Sequence, residues 1–222
     1  MASTTPQTPH IDIVLSFDPP SHSFSQATPP NLTLTLTSHA ETPFTLFTWS
    51  TTLALPNALT TSGITITDAA AGRAVQTASL TANRAPLKRT KGTSDEKYFI
   101  TLQPNTQLQL STGFGRGGSV KPQPKAVVER GWELDENGDE RKIRRSKFAT
   151  GVDGLEPGHE YVIGLDEGAL KSVWWVQVAK EEVLVEGSAE GSYVQDYEWE
   201  KIPLNFHVEE AELKVEQCFD AH

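Results

Sequence analysis

The chain alternates apolar and polar residues over many short stretches, and the period of that alternation is two. Ile11, Ile13, Leu15 and Phe17 share one parity, with Asp12 and Ser16 on the other. A strand sends successive side chains to opposite faces, so this pattern predicts a half-buried strand. Pro19-Pro20 ends it, and Pro29-Pro30 closes the connection that follows. From Asn31 to Ser38, Leu32, Leu34 and Leu36 alternate with Thr33, Thr35 and Thr37. That is the cleanest strand in the chain, because threonine suits the exposed side of a sheet.

The segment from Pro43 to Ser50 follows at hairpin distance. Phe44, Leu46, Phe47 and Trp49 fall on both parities, which predicts a strand covered on both faces. Gly63 to Thr67 is a short strand with Ile64 and Ile66 inward. Ala69-Ala70-Ala71 is too short and too close to Gly72 for a helix. Residues 81–97 are basic and loop-like. Tyr98 to Leu102 and Gln107 to Leu110 are two further strands, split by Pro104-Asn105. Residues 115–125 read as a flexible basic loop.

Residues 126–148 predict a hairpin with Asn137-Gly138 at its tip, since Asn-Gly supplies the positive φ angles of a two-residue turn. With those two as the turn, Trp132 faces Ile143 and Glu133 faces Lys142, both favourable pairs. The same register sets Arg130 against Arg145 and Asp135 against Glu140, like against like.

Leu155-Glu156-Pro157-Gly158-His159-Glu160-Tyr161, then Val162 to Leu165, is the most informative segment. An apolar anchor, a Pro-Gly turn and a tyrosine opening a strand match the tyrosine corner of Greek-key sandwiches. There the phenol bonds to backbone a few residues upstream. Val173 to Val178, Glu182 to Val185, Ile202 to Val208 and Leu213 to Val215 read as the closing strands.

These make about nine to eleven strand candidates, with no long helix and no repeat. The expected fold is all-β: an immunoglobulin-like Greek-key sandwich with a long β-hairpin insertion. Residues 1–9, polar with two prolines, predict a disordered tail. Residues 10–222 are expected to form a single β-sandwich domain with the insertion at about 115–150. The competing arrangement is a second small β unit made from residues 186–222.

Size and charge narrow the function. A chain of 222 residues can bury about 70% of its extended surface, enough to fold without metal or disulfide. Its one cysteine, Cys218, cannot form an internal bridge and reads as an ordinary thiol. The longest apolar runs fall far short of the roughly 20 residues of a membrane helix. The opening MASTTPQTPHIDIVLSF has neither a basic region nor a continuous apolar core, so no secretory leader is expected. The expected location is cytoplasmic, or shared with the nucleus. The protein is acidic, with a net charge of −10. Residues 86–150 carry a net positive charge and residues 151–222 a strongly negative one. Such polarity favours solubility and can steer a charged partner.

The sequence carries no recognisable catalytic constellation. Gly113 to Val120 fits GxGxxGxV, but prolines at 122 and 124 prevent a helix from starting behind it, so no phosphate cradle is expected. Six histidines show no i, i+4 zinc spacing, and no cysteine pair exists. His207 and Glu209 share a strand face and could offer two metal ligands, without a visible third. His159 reads as an exposed turn histidine. No GxSxG elbow nominates a serine nucleophile. The acids of residues 181–200 read as a solvated face. No catalytic residue, cofactor or metal is therefore assigned.

Binding has more support. Trp174 and Trp175 are adjacent on a strand, so one points inward and the other outward. The outward ring, with Tyr197 and Trp199, suits an interface or ligand platform. The basic insertion adds Trp132, Arg141, Lys142, Arg144 and Arg145. It matches a loose nuclear-localisation pattern, but five acids within 133–140 disfavour nucleic acid.

The runs LTLTLTSHAETPFTLFTW, FITLQPNTQLQL and GLEPGHEYVIGL followed by VWW resemble a group of uncharacterised intracellular proteins of filamentous fungi. The chain is also distantly similar to the immunoglobulin-like pro-region of deuterolysin-type metalloproteases. The resemblance covers roughly residues 10–185 and implies an immunoglobulin-like fold. It implies no activity, because no HExxH helix is present. The expected function is a non-catalytic protein-interaction or adaptor domain whose partner is another protein. The alternative is a small-molecule-binding sandwich, including an enzyme of unrecognised type. An inhibitor-like or intramolecular-chaperone role rests on the pro-region analogy alone.

Overall fold

A computed structural model describes residues 8–23, 28–77, 79, 84–115, 152, 154–187 and 192–216, together with the backbone of 132–134 and 140–142. Among the described residues the protein is all-β apart from short helical turns. The first sheet contains β1 (His10–Asp18), β3 (Asn31–Ser38), β8 (Gln107–Gly113) and β13 (Asn205–Glu209), in the order β13-β1-β3-β8. The second contains β2 (Ser21–His22), β5 (Ile64–Asp68), β6 (Arg73–Ala74), β11 (Glu160–Leu165) and β14 (Ala211–Val215), in the order β2-β14-β11-β5-β6.

The period-two patterns place the core. Ile13 pairs with Leu36 and Leu15 with Leu34, while Leu34 also pairs with Leu110 on the other side of β3. Ile11, Ile13, Leu32, Leu34 and Leu36 are fully buried. They share one apolar cluster with Ile66, Tyr161, Ile163, Leu213 and Val215 of the second sheet, so the two sheets enclose a common core. Each such aliphatic side chain contributes about 1.5–3 kcal/mol on burial. The threonines of β3 alternate toward the less buried face, as their polarity requires.

The chain crosses between the sheets at Glu210, which joins β13 to β14. β13 runs parallel to β1 and β14 runs antiparallel to β11. Residues 205–215 therefore belong to the two main sheets. Gly164 on β11 marks a close approach there. A Cβ at that position would lie 2.5 Å from a Glu210 carboxylate oxygen and 2.8 Å from the Thr65 hydroxyl.

A third sheet, ordered β12-β4-β7, is built from β4 (Phe44–Phe47), β7 (Phe99–Leu102) and β12 (Trp174–Val176). All four residues of β4 are buried, as its apolar residues on both parities predict. Phe44 and Leu46 join the main core. Phe47 enters a second cluster with Leu87, Tyr98, Phe99, Val183, Leu184 and Val194.

Several elements depart from expectation. Glu182 to Val185 is not a strand: Lys180–Val183 forms a helical turn, and only Val185 makes a bridge, to Thr90. Val183 and Leu184 are both buried, which a strand with one solvated face does not allow. The strand expected from Ile202 begins at Asn205. The basic stretch before β7 is tied down by bridges from Lys88 to Tyr193 and from Thr90 to Val185, and Arg89 within it is buried. Two other helical turns, Leu55–Ala58 and Glu167–Lys171, escaped the pattern. In the second, Asp166 caps the turn by accepting from the Ala169 amide at 2.7 Å.

The hairpin of the insertion pairs β9 (Trp132–Leu134) with β10 (Glu140–Lys142), one residue out of the expected register. Lys142 stands opposite Trp132 and Arg141 opposite Glu133. This register sets Leu134 rather than Asp135 opposite Glu140. The rest of residues 126–148, the tail before residue 8, the loop after Gly115 and Cys218 lie outside the described residues.

Candidate interaction surface

Strand β12 divides its two tryptophans as adjacent strand residues must be divided. Trp175 turns inward and is 5% exposed. Its ring meets Phe44 edge-on at 5.8 Å, and its Nε1–H donates to the Ile202 carbonyl at 2.7 Å. It is a core residue. Trp174 turns outward and is 44% exposed.

Trp174 does not stand alone. Its register partner on β4 is Phe47, and their ring centres are 6.0 Å apart. Trp199 lies 6.0 Å from Trp174, 5.9 Å from Phe47 and 5.2 Å from Tyr197. The Trp199 Nε1–H donates to the Val194 carbonyl at 2.8 Å, which fixes the ring over the sheet. The segment carrying Val194, Tyr197 and Trp199 thus lies on the outer face of the third sheet.

Tyr197 is held from its other side. The Arg89 guanidinium lies 4.5 Å from its ring centre, and Arg89 Nη1 donates to the Val183 carbonyl. A guanidinium over an aromatic face is attracted by the ring quadrupole. Arg89 therefore ties the aromatic cluster to the turn at 180–183. Nothing local in the sequence set it apart from the solvated lysines and arginines around it.

Of the expected contact residues, the fold brings Trp174, Tyr197 and Trp199 into one cluster and sends Trp175 into the core. For Trp132, Arg141 and Lys142 only the backbone is described, and Arg144 and Arg145 lie outside the described residues. The carboxylates of Glu181, Glu182, Glu186, Asp196, Glu198 and Glu200 are exposed, as a solvated acidic face requires.

The remaining candidates also find places. Phe114 is fully buried and meets Phe17 edge-on at 5.0 Å. Gly115 has φ of +105°, and a Cβ there would meet both Val152 methyls at 3.3 Å. The start of the glycine-rich run thus serves packing. His159 is a turn histidine with its side chain 42% exposed, and its Nδ1 lies 2.8 Å from an Asp68 carboxylate oxygen. Three concavities, of about 1090, 590 and 390 Å³, are lined by neither Trp174 nor Trp175.

Among the described residues, one group of side chains brings three metal-ligating atoms together: His10, Asp12 and His39, on the outward face of the first sheet. Sequence spacing hid it, because His39 reaches Asp12 only through the pairing of β1 with β3. No helix among the described residues is long and apolar enough to cross a membrane. No protein-family model matches this chain, and no curated protein is significantly similar to it.

Proposed function

We propose that this all-β protein is an immunoglobulin-like Greek-key sandwich acting as a non-catalytic protein-interaction domain, with the aromatic face around Trp174 as its contact surface. The strand order supports the fold. In chain order β1, β3 and β8 stand where strands A, B and E of such a sandwich stand. Strands β14, β11, β5 and β6 stand where G, F, C and C′ stand. Tyr161 opens the F-like strand and takes the Glu156 amide, as a tyrosine corner does. The similarity to intracellular fungal proteins and to the deuterolysin pro-region belongs to the same proposal, as does a cytoplasmic or nuclear location.

The observation that carries the function is the exposure of Trp174 on a platform of fixed aromatic rings. A large ring held rigidly at the surface loses little entropy on binding and presents much apolar area. The partner this face suits is a protein offering an apolar or aromatic anchor. The hairpin at 126–148 is the second contact element, on the ground that loops on rigid sheets commonly carry binding. The small-molecule alternative rests on the tryptophan pair, which lines none of three concavities among the described residues.

The test is co-purification from native lysate with the full chain, Trp174→Ala and a 126–148 deletion, with folding checked by circular dichroism. A protein retained by the full chain and lost from folded Trp174→Ala is expected. An unchanged set of co-purifying proteins with both variants would overturn the proposal.

A further inference from the structure

The outward face of β1 carries His10, Asp12 and Val14, because Ile11 and Ile13 take the inward positions. Strand β3 pairs antiparallel beside it with Ile11 opposite Ser38. One step further along that register stands His39 opposite His10, and the His39 amide donates to the His10 carbonyl at 2.9 Å. The two imidazoles are stacked, with centres 5.5 Å apart and planes inclined by 28°. Both turn Nε2 toward the carboxylate between them. His10 Nε2 lies 2.9 Å from Asp12 Oδ1 and His39 Nε2 lies 2.7 Å from Asp12 Oδ2.

We propose that His10, Asp12 and His39 form a binding site for one divalent transition-metal ion of the zinc class. The donor set is two imidazoles and one carboxylate, which zinc takes readily. Zinc bonds of about 2.0–2.2 Å in a tetrahedron separate neighbouring ligand atoms by about 3.4 Å. The three donor atoms here lie within 4.8 Å of one another, and each imidazole is already in hydrogen-bond contact with one of the two carboxylate oxygens. Small side-chain rotations open those contacts enough to admit an ion. All three side chains are between 37% and 46% exposed, so an ion can enter from solvent. Their backbones belong to, or directly extend, two paired strands, which fixes the ligands in advance.

Three protein ligands leave a fourth position for water or for a side chain brought by another molecule. His207 of β13 is the register partner of Asp12 on its other side and is exposed. It adds a further imidazole to the neighbourhood. As a stabilising device, an exposed histidine–aspartate network is worth little, since solvent screens it and ordering the side chains costs entropy. Metal binding gives the convergence of two imidazoles on one carboxylate a use that stability does not.

The experiment is titration of the full chain with zinc chloride by calorimetry, on the unaltered protein and on His39→Ala, Asp12→Asn and His159→Ala. One ion per chain is expected, with affinity falling about tenfold or more in the first two variants, since even outer-sphere partners of a metal site cost 10–100-fold when removed. His159→Ala, which alters the other histidine–carboxylate contact, is expected to bind as the unaltered chain does. Cobalt(II) absorbance gives a second readout, with the ligand-field bands lost in Asp12→Asn. No zinc binding by the unaltered chain, binding that survives His39→Ala and Asp12→Asn undiminished, or binding lost only with His159→Ala would each overturn the assignment. Circular dichroism separates any of these from failure to fold.

Discussion

The Tyr161 hydroxyl accepts a hydrogen bond at 2.8 Å from the amide of Glu156, five positions earlier, and closes a loop at the entry to β11. The loop turns on Gly158, whose φ of +83° lies in the left-handed region that glycine alone enters freely. Its amide donates to the Val215 carbonyl, and the Val215 amide donates to the His159 carbonyl. The corner is thereby pinned to β14 on one side and, through the Tyr161 ring, to the core on the other.

Tyr161→Phe keeps the buried ring and deletes the acceptor. We expect a loss of about 1–3 kcal/mol, the usual consequence of leaving a partly buried donor without its partner. Urea unfolding monitored by tryptophan fluorescence measures it, and a loss below about 0.5 kcal/mol would count against the corner as a fixed element. Burial also raises the phenol's pKa above its ordinary value of 10.0. A group whose folded pKa is raised supports folding below its unfolded pKa. That support is lost as pH rises through the folded value, so the alkaline decline of stability above about pH 10 is expected to be shallower in the variant.

The two tryptophans of β12 make an internal comparison. Trp175→Ala removes a core ring together with its bond to Ile202, and a cost of about 3–5 kcal/mol is expected. Trp174→Ala removes a ring that is nearly half exposed and is expected to cost clearly less. Paired thermal and urea denaturation measures both. Equal losses would show that Trp174 holds the third sheet together, and its role as a free contact residue would fall.

What could be read from the sequence was local. The leucine–threonine alternation of β3 places that strand at Asn31–Ser38, and Tyr161 with its Pro-Gly turn announces its own hydrogen bond. What could not be read depended on distant pairing or on very short elements. β2 and β6 have two residues each, too few to show a period. The strand expected over 182–185 is replaced by the turn at 180–183 because Val183 is buried with Phe47 and Phe99 of the third sheet, a contact no local pattern shows. His10, Asp12 and His39 have no diagnostic spacing, since the cross-strand register of β1 and β3 brings them together. Arg89 sat unmarked in a basic run, although it stands over Tyr197 from across the chain.

Leu34 tests the shared core. It is fully buried at the centre of β3, opposite Leu15 on one side and Leu110 on the other. Leu34→Ala is expected to cost about 2–5 kcal/mol, as lost transfer energy plus a cavity that the flanking strands cannot close. Equilibrium denaturation provides the number. A change under about 1 kcal/mol would mean that the two sheets repack easily around this position.

Acid stability is expected to fall in two stages, with His22 responsible for the first. His22 lies on β2, opposite Val215 of β14, and is 6% exposed. Burial lowers its pKa below 6.5, and the nearby Glu216 carboxylate only partly opposes that. The folded protein therefore binds fewer protons than the unfolded chain once pH falls below about 6.5, and stability declines through that range. The second stage belongs to carboxylates. Asp68 is held below its ordinary value by the amide of Ala71, the imidazole of His159 and the amide of Ala70, and Glu96 by the Gly92 amide and Lys180. A depressed carboxylate supports folding above its unfolded pKa of about 4 and loses that support only as pH drops lower. His22→Gln, which cannot take up the proton, is expected to flatten the decline that begins below about pH 6.5 while leaving the fall below pH 4 in place. Urea midpoints collected from pH 8 to pH 3 measure both stages. An unchanged slope in the upper range would place the first proton uptake on another group.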